Sequence, residues 1–247
     1  MPHTELTGLY VIIDPSLTAG RDEVEIAREA LAGGARLLQL RDKTREKGLQ
    51  LAIARALRAL CRERGASFIV NDHVDLALAV DADGVHLGQK DLPVSVVRRL
   101  VPREMIVGCS TNNPKEARRA EADGADYVSV GRLFPTGSKR DTRPATTETL
   151  RAVKAAVSVP VCAIGGINET NIDEVLAAGA DMAAVIAAVI TPPDPSAGSP
   201  SGPSEASDSA GRKASVRQGS DSEHGESAKR TGQAVREAAR RLAARFR

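Results

Sequence analysis

The sequence has 247 residues, with 34 Lys and Arg against 32 Asp and Glu, and its formal net charge is +2. Such a balanced charge excludes the overall basic field that drives non-specific binding to nucleic acids, so any bound anion must be held locally. Three widely separated cysteines argue against a disulfide framework or a zinc site and favour a reducing cytoplasm. No apolar run approaches the length of about 18 residues that a membrane helix needs, and no signal peptide is indicated.

Short apolar runs recur along the chain up to residue 191, and segments with helical apolar spacing lie between them. Runs without polar alternation indicate strands that are covered on both faces, as in parallel sheets. Helical segments end repeatedly at Gly before the next run, as in "DADGVHL", which suggests that one βα unit is reused. We predict a closed (β/α)8 TIM barrel, with an open doubly wound sheet as the alternative. The predicted strands are Leu9–Ile13, Arg36–Leu40, Ser67–Val70, Gly84–Leu87, Met105–Cys109, Tyr127–Val130, Val161–Ile164 and Ala183–Ile186.

The composition changes after Thr191. Residues 192–229 are rich in Pro, Ser, Gly and charge, which predicts a low-complexity flexible linker after a barrel domain at residues 1–191. Residues 230–247 regain helical character, because apolar residues return at spacings of three or four. Two interpretations of this C-terminal helix stay open: the eighth helix of the barrel, or a frayed tail.

Polar residues and glycines gather after the carboxyl ends of the predicted strands. In a parallel barrel the residues that do chemistry follow those ends, at one rim. The set comprises Gln39, Arg41 and Lys43 after the second strand, Asn71 and Asp72 after the third, Asp91 after the fourth, Ser110 and Asn112 after the fifth, Thr136, Ser138 and Lys139 after the sixth, and Gly165, Gly166, Ile186 and Ala187 after the last two.

Asp72 and Asp91 follow neighbouring strands in the stretch "NDHVDLALAVDADGVHLGQKD". Two carboxylates at one rim suit a hard divalent cation, and Mg²⁺ commonly takes one or two carboxylates together with waters and phosphate oxygens. The alternative is that each Asp caps the helix that follows it, which is a common role for Asp in such loops.

Three cations also converge on the predicted rim. Arg41 and Lys43 are alternate residues beyond one strand end, and Lys139 comes from another part of the ring. Together with Mg²⁺ they could neutralise a pyrophosphate, with Arg41 offering a two-pronged donor. The alternative is that they are solvated loop charges.

Gly165 and Gly166 would let backbone N–H groups approach an anion where barrels often bind phosphate, although Gly also makes tight turns. His86 lies inside a predicted strand, and we interpret it as a satisfied core residue rather than a base. Cys109 and Cys162 are interpreted as small core residues rather than nucleophiles.

These residues lie in motifs that resemble the thiamine-phosphate synthase family, barrel enzymes that join the pyrimidine and thiazole halves of thiamine. The matching stretches follow the family's order and cover about Leu9 to Ala188. They are "QLRDK", "ND", "ADGVHLGQKD", "GCS", "VGRLFPTGSK" and "AIGGI".

The resemblance implies two small-molecule substrates and Mg²⁺, with no nucleic acid or membrane partner. It implies that the pyrimidine diphosphate binds to Gln39, Arg41, Lys43, Asn71, Ser110 and Lys139, and the "QLRDK" match adds Leu40 and Asp42. It also implies that Asp72 and Asp91 hold Mg²⁺, that Thr136, Gly137 and Ser138 contact the thiazole phosphate, and that Gly166, Ile186 and Ala187 hold its phosphoryl group.

Some positions depart from the family pattern. Asn112 stands where His is frequent, Arg132 where Pro is common, Met182 where Gly is usual and Ala187 where Ser is expected. Asn112 puts in doubt any proton transfer at that position, whereas Ala187 keeps its backbone donor.

The predicted reaction is a dissociative substitution in which Arg41, Lys43 and Lys139 act as catalytic residues by stabilising the departing pyrophosphate. Two rivals stay open: a paralogue that isomerises the thiazole phosphate without coupling, and a silent barrel that only binds thiamine precursors. The sequence does not decide between a monomer and a homo-oligomer.

Overall fold

The structure is a computed structural model that describes residues 6–136, 143–190 and 221–246, with side chains of the last segment described from Thr231 onward. Its strands form one closed parallel barrel in the order β1 to β8, which confirms the predicted TIM-barrel fold. All the predicted strands are present, with ends that differ by at most two residues. They are β1 Gly8–Ile13, β2 Leu37–Leu40, β3 Ser67–Asn71, β4 Gly84–Leu87, β5 Ile106–Thr111, β6 Tyr127–Val130, β7 Val161–Ile164 and β8 Met182–Val185.

Helices lie between the strands, and short 3-10 turns occur at Pro15–Leu17 and Ala244–Phe246. Within the described residues no helix is long and apolar enough to cross a membrane. The helices are α1 Glu23–Ala32, α2 Lys47–Arg64, α3 Val74–Ala79, α4 Val94–Val97, α5 Pro114–Ala122, α6 Thr147–Lys154, α7 Ile172–Ala177, α8 Ala187–Ile190 and α9 Asp221–Ala243.

The core has two layers because successive strand residues point to opposite faces of the sheet. One layer lies between sheet and helices and is built largely from Leu, Val and Ala. The second fills the barrel interior, where Tyr10 and Tyr127 are its bulkiest members. Gly108 makes room for this interior layer, since a Cβ atom there would overlap the Tyr127 ring.

The terminal helix α9 packs on the barrel between α1 and α7. Its buried face consists of Val235, Ala238, Ala239 and Leu242. A Cβ atom on Gly33 would lie 2.5 Å from the Cβ of Ala239, so this glycine permits the close approach of α9 to the end of α1.

Ion pairs surround the buried face of α9. Arg236 Nε lies 2.6 Å from Glu29 Oε2 on α1, and Arg245 Nη1, in the 3-10 turn that follows α9, lies 2.5 Å from Asp173 Oδ2 on α7. The helix therefore takes the place of the eighth barrel helix, because α8 is a single short turn.

The predicted boundary at residue 230 is wrong for this helix, which begins at Asp221. The prediction rested on apolar spacing, and residues 221–229 contain only polar residues, Gly and Ala, which give no such signal. The rest of the predicted linker, residues 192–220, lies outside the described residues, and the division of the chain at residue 191 stays a prediction.

We expect Leu242→Ala to lower the free energy of unfolding by about 2–5 kcal/mol, because the fully buried side chain would leave a cavity between α9 and the barrel. Leu49→Ala is the matched control, since Leu49 is 58% exposed and should change stability by no more than about 0.5 kcal/mol. Urea unfolding of both variants measures the difference. Equal effects would mean that α9 is not docked.

Candidate active site

The carboxyl ends of β2 to β5 bring several predicted residues into contact. Lys43 Nζ, beyond β2, lies 3.0 Å from Asp72 Oδ2, beyond β3. The Asp72 carboxylate is in turn adjacent to that of Asp91, beyond β4, and each affects the pKa of the other. At the end of β5, the Oγ of Ser110 lies 2.9 Å from His86 Nε2. Side-chain contacts thus link the ends of β2, β3 and β4, and a separate contact lies at the end of β5.

The two carboxylates are direct neighbours, and their pKa values move apart. Burial and the adjacent Asp72 carboxylate raise the pKa of Asp91 above its ordinary value. Burial also disfavours the ionised form of Asp72, but hydrogen bonds from Lys43 and Asp91 outweigh it and lower the pKa of Asp72. Two carboxylates held this close repel each other when both are ionised, and an added cation would relieve that repulsion.

Neither aspartate caps a helix through its side chain. The N-cap of α3 is His73 and the N-cap of α4 is Pro93, and neither cap residue makes a side-chain capping bond. The Asp91 carboxylate instead accepts a hydrogen bond from the N–H of Gly88 at 2.7 Å. Asp72 has a left-handed backbone with φ of 63°, which is unusual for a residue other than Gly. The capping alternative is therefore wrong, and the loops aim both acids at the rim.

Arg41 is held by a residue that the sequence reading missed. Its Nη1 donates to Oδ2 of Asp14, which follows β1 directly and is 3% exposed. The other oxygen of Asp14 accepts from the backbone and hydroxyl of Ser16 at 3.0 and 2.6 Å. The signal was present, because Asp14 stands at a strand end like the other rim residues.

Leu40 and Asp42, the other members of "QLRDK", have their side chains engaged elsewhere. Leu40 is buried in the layer between sheet and helices. The Asp42 carboxylate accepts from the N–H groups of Thr44 and Arg45, both at 3.1 Å, and from Arg45 Nε at 2.5 Å. Burial raises the pKa of Asp42, but the bonds from Arg45 and Thr44 outweigh it and lower the pKa. A ligand contact from either residue would have to use its backbone.

The loop after β6 is described up to Thr136 and again from Arg143, so Gly137, Ser138 and Lys139 lie outside the described residues. Asn112 joins the two described ends of this loop. Its Nδ2 donates to the carbonyl oxygens of Gly131 at 3.1 Å and Arg143 at 3.2 Å. Arg143 also pairs through both Nη atoms with the carboxylate of Glu116 at 2.8 and 2.7 Å. Asn112 is therefore a structural anchor of the loop.

Gly165 and Gly166 allow the loops after β6 and β7 to pack closely. Both have positive φ, at 103° and 66°. A Cβ atom on Gly165 would lie 2.7 Å from the Cα of Arg132, and one on Gly166 would lie 2.6 Å from the carbonyl oxygen of Pro135. The tight-turn interpretation thus holds for both. Their carbonyl oxygens accept from the N–H of Phe134 and from Asn171 Nδ2, both at 3.0 Å, so a phosphate would have to use their N–H groups. Ile186 and Ala187 follow β8, the neighbouring strand.

A chain of hydrogen bonds crosses the barrel interior and connects Gln39 to Ser110. Gln39 Nε2 donates to the Tyr10 hydroxyl at 2.6 Å, and the hydroxyls of Tyr10 and Tyr127 are 3.1 Å apart. The Tyr127 hydroxyl lies 2.9 Å from His86 Nδ1, and His86 Nε2 completes the chain to Ser110. His86 is 8% exposed and bonded at both ring nitrogens, as expected of a core histidine. The two tyrosines were not predicted as polar participants.

The site therefore combines an acidic pair for a hard cation with basic groups for an anion. Within the described residues no group of three or more His, Cys, Asp or Glu side chains forms a metal cluster. The pair Asp72 and Asp91 still fits Mg²⁺, which needs only one or two carboxylates and takes its other ligands from water and phosphate.

Comparisons with known proteins agree with this arrangement. The family model for thiamine monophosphate synthase matches residues 9–189. A thiamine-phosphate synthase of Methanospirillum hungatei is 53% identical over 193 residues, which cover 78% of this chain and 94% of the relative. One of Moorella thermoacetica is 52% identical over 183 residues, covering 74% and 87%. The solved thiamine phosphate pyrophosphorylase from Pyrococcus furiosus is 38% identical, with a TM-score of 0.75 and coverage of 97% of this chain and 95% of that one.

We expect Asp91→Asn to raise the free energy of unfolding at neutral pH in metal-free buffer, because it removes one of two repelling carboxylates. A raised pKa in the folded state means that ionised Asp91 is destabilising above the ordinary pKa of Asp. The gain should therefore fade as the pH falls below that value, where Asp91 is protonated in both states. Urea unfolding between about pH 3 and pH 7 measures it. A gain that does not depend on pH would contradict the assigned cause.

Proposed function

The chain belongs to the thiamine monophosphate synthase family, and from this premise we propose that it is a thiamine-phosphate synthase. It is a transferase that couples hydroxymethylpyrimidine diphosphate with thiazole phosphate to give thiamine phosphate and pyrophosphate. Beyond the family itself, one observation carries the proposal: Lys43, Asp72 and Asp91 come from three different loops and meet at a single rim. A diphosphate bound there faces both a cation and a metal-binding acid pair.

The proposal assigns Mg²⁺ to Asp72 and Asp91. When bound, Mg²⁺ supplies positive charge that offsets the negative charge of the diphosphate. The raised pKa of Asp91 supports the assignment. Part of the increase comes from the adjacent Asp72 carboxylate, so the two groups repel each other when both are ionised.

The chain's own cations stabilise the leaving group. Arg41, Lys43 and Lys139 bind the diphosphate and stabilise the negative charge that grows as the bond from the exocyclic methylene to oxygen breaks. The bonding electrons leave with pyrophosphate, and the electron-rich aminopyrimidine supports the resulting cation. The ion pair with Asp14 fixes the position of the Arg41 guanidinium at the rim.

Two further groups of residues align the reacting atoms. Gln39, Asn71 and Ser110 orient the pyrimidine. Thr136, Gly137 and Ser138 contact the thiazole phosphate, and its phosphoryl group is held at Gly166, Ile186 and Ala187. The thiazole nitrogen then forms the new bond to the methylene carbon. Holding both partners at one rim removes most of the entropic cost of the encounter.

The thiazole-isomerising rival is disfavoured by Asn112. Its side-chain amide donates to two backbone carbonyls and does not ionise near neutral pH, so it serves as a loop anchor and not as a proton shuttle. The silent-barrel rival is disfavoured by the intact contact between Lys43 and the acid pair. A barrel that only binds precursors has no departing pyrophosphate to stabilise, which is the role proposed here for Lys43.

We place the reaction in the cytoplasm. The three cysteines are buried and free, and burial raises the pKa of Cys109 to about 11, so its thiol is inert. None of them serves as a structural cross-link, as a reducing compartment requires.

The direct test mixes the purified full chain with both phosphorylated halves and Mg²⁺ and measures thiamine phosphate and pyrophosphate. We expect both products in equal amounts. A well-folded chain that forms neither would refute the synthase, and conversion of the thiazole phosphate alone would favour the isomerising rival.

We expect Asp72→Asn to lower turnover at least tenfold and to raise the Mg²⁺ concentration needed for half-maximal rate. The reason is that an amide replaces a charged oxygen ligand. Asp75→Asn is the matched control, because Asp75 lies in the same segment with its side chain 70% exposed. Steady-state rates over a Mg²⁺ titration measure both variants. An unchanged Mg²⁺ dependence in Asp72→Asn would remove Asp72 from the metal site.

A further inference from the structure

The hydrogen-bond chain from Gln39 to Ser110 has a direction, because its middle members can donate only once. Tyr10 and Tyr127 are fully buried, and burial raises the pKa of both phenols far above the ordinary value. Each phenol therefore keeps its proton and has one hydrogen to give. A neutral imidazole likewise donates from one nitrogen and accepts at the other.

The Gln39 amide sets that direction at one end. Its Nε2 can only donate, so the Tyr10 hydroxyl accepts from it and donates its own hydrogen bond to the Tyr127 hydroxyl. Tyr127 must then donate to His86 Nδ1, which puts the histidine proton on Nε2, facing Ser110. With the Gln39 amide in this orientation, any other assignment leaves a buried hydroxyl hydrogen without an acceptor, at a cost of about 1–3 kcal/mol.

The two ends of the hydrogen-bond chain differ in exposure. Gln39 is 2% exposed, and within the described residues no group donates to its Oε1, so this oxygen can accept a hydrogen bond from a ligand that reaches it. Ser110 is half-buried, and its Oγ accepts from His86, so its own hydrogen is free to be donated outward.

We propose that Tyr10, Tyr127 and His86 are positioning residues that force Gln39 and Ser110 to present opposite hydrogen-bonding groups to the substrate. Gln39 presents an acceptor and Ser110 presents a donor. This pairing selects a heteroaromatic ring that carries an amino donor and a ring-nitrogen acceptor, as an aminopyrimidine does. The identity of the substrate in this inference rests on the proposed function. The direction of the hydrogen-bond chain does not depend on it.

The pairing of opposite groups follows from the chain itself. If the Gln39 amide turned over, Tyr10 would donate to its oxygen and every bond would reverse. The His86 proton would then move to Nδ1, and Ser110 would donate to His86 Nε2. Gln39 would present a donor and Ser110 an acceptor, so the two ends would still be opposite. With a neutral imidazole at His86, a ring with two acceptors or two donors would mismatch one end in either state.

Tyr127→Phe in the full chain tests the proposal, because it removes one hydroxyl and keeps the ring that stacks on His86 with centroids 5.5 Å apart. We expect the KM for the pyrimidine diphosphate to rise roughly five- to tenfold, as for the loss of one buried hydrogen bond. The KM for the thiazole phosphate should stay unchanged. In a Ser110→Ala background, Tyr127→Phe should have a smaller effect than in wild type, because only the Gln39 end of the hydrogen-bond chain is then left to lose its orientation.

The tautomer of His86 gives a readout that needs no activity. Nitrogen NMR of the wild-type chain, assigned by comparison with His86→Asn, should show a neutral ring with its proton on Nε2. Tyr127→Phe should weaken that preference. A proton on Nδ1 in the wild type would overturn the assigned direction. If the wild type carries the proton on Nε2 but forms no product, the proposed synthase activity is refuted, while the assigned direction of the hydrogen bonds stands.

Thr111→Val is the matched control. It removes a buried hydroxyl on β5, the strand of Ser110, that donates to the carbonyl oxygen of Ser129 at 3.1 Å and takes no part in the hydrogen-bond chain. It should lower stability but leave both KM values unchanged. Should Tyr127→Phe fail to fold, Tyr10→Phe breaks the same chain one bond earlier and should give the same KM pattern. Equal KM values in the folded tyrosine variant and in wild type would overturn the positioning role.

Discussion

The structure depends on the closure of its parallel ladder where β8 meets β1. Gly8 pairs with Met182 and Val11 with Val185, and the N–H of Gly8 donates to the carbonyl of Asp181 at 2.9 Å. Closure leaves no strand edge, so every strand is hydrogen-bonded on both sides. Because all strands run in one direction, their carboxyl ends form one ring, and the charges of several distant loops share a small area.

That concentration of charge has to be balanced locally. Asp14 forms an ion pair with Arg41, and Lys43 forms one with Asp72. The repulsion between Asp72 and Asp91 remains, and it contributes to the raised pKa of Asp91. The backbone shares in this, since Asp72 has a left-handed conformation and Gly88 donates to the Asp91 carboxylate. The rim is thus partly neutralised within itself, and an incoming cation and an incoming anion can each replace an internal partner at low electrostatic cost.

Most of the fold and much of the site could be predicted from the sequence, for identifiable reasons. Strands covered on both faces read as unbroken apolar runs, so β1 to β8 were found, and the strand-end rule located Arg41, Lys43, Asp72 and Asp91. The same rule applied to β1 would have found Asp14. Contacts between residues far apart in the chain were out of reach, because spacing does not show that Tyr10 and Tyr127 meet across the interior. The start of α9 was missed because its first turns carry no large apolar side chain.

The position of α9 links the two ends of the chain, since Arg236 pairs with Glu29 across a sequence separation of 207 residues. Docking of α9 therefore has to close a loop between Ile190, the last residue of α8, and Asp221, the first residue of α9. Loop-closure entropy grows with the logarithm of length, so doubling such a segment costs only about 0.6 kcal/mol. A change in the number of residues between these two ends therefore costs the docking of α9 little closure entropy, whereas a change on its buried face removes apolar contacts directly.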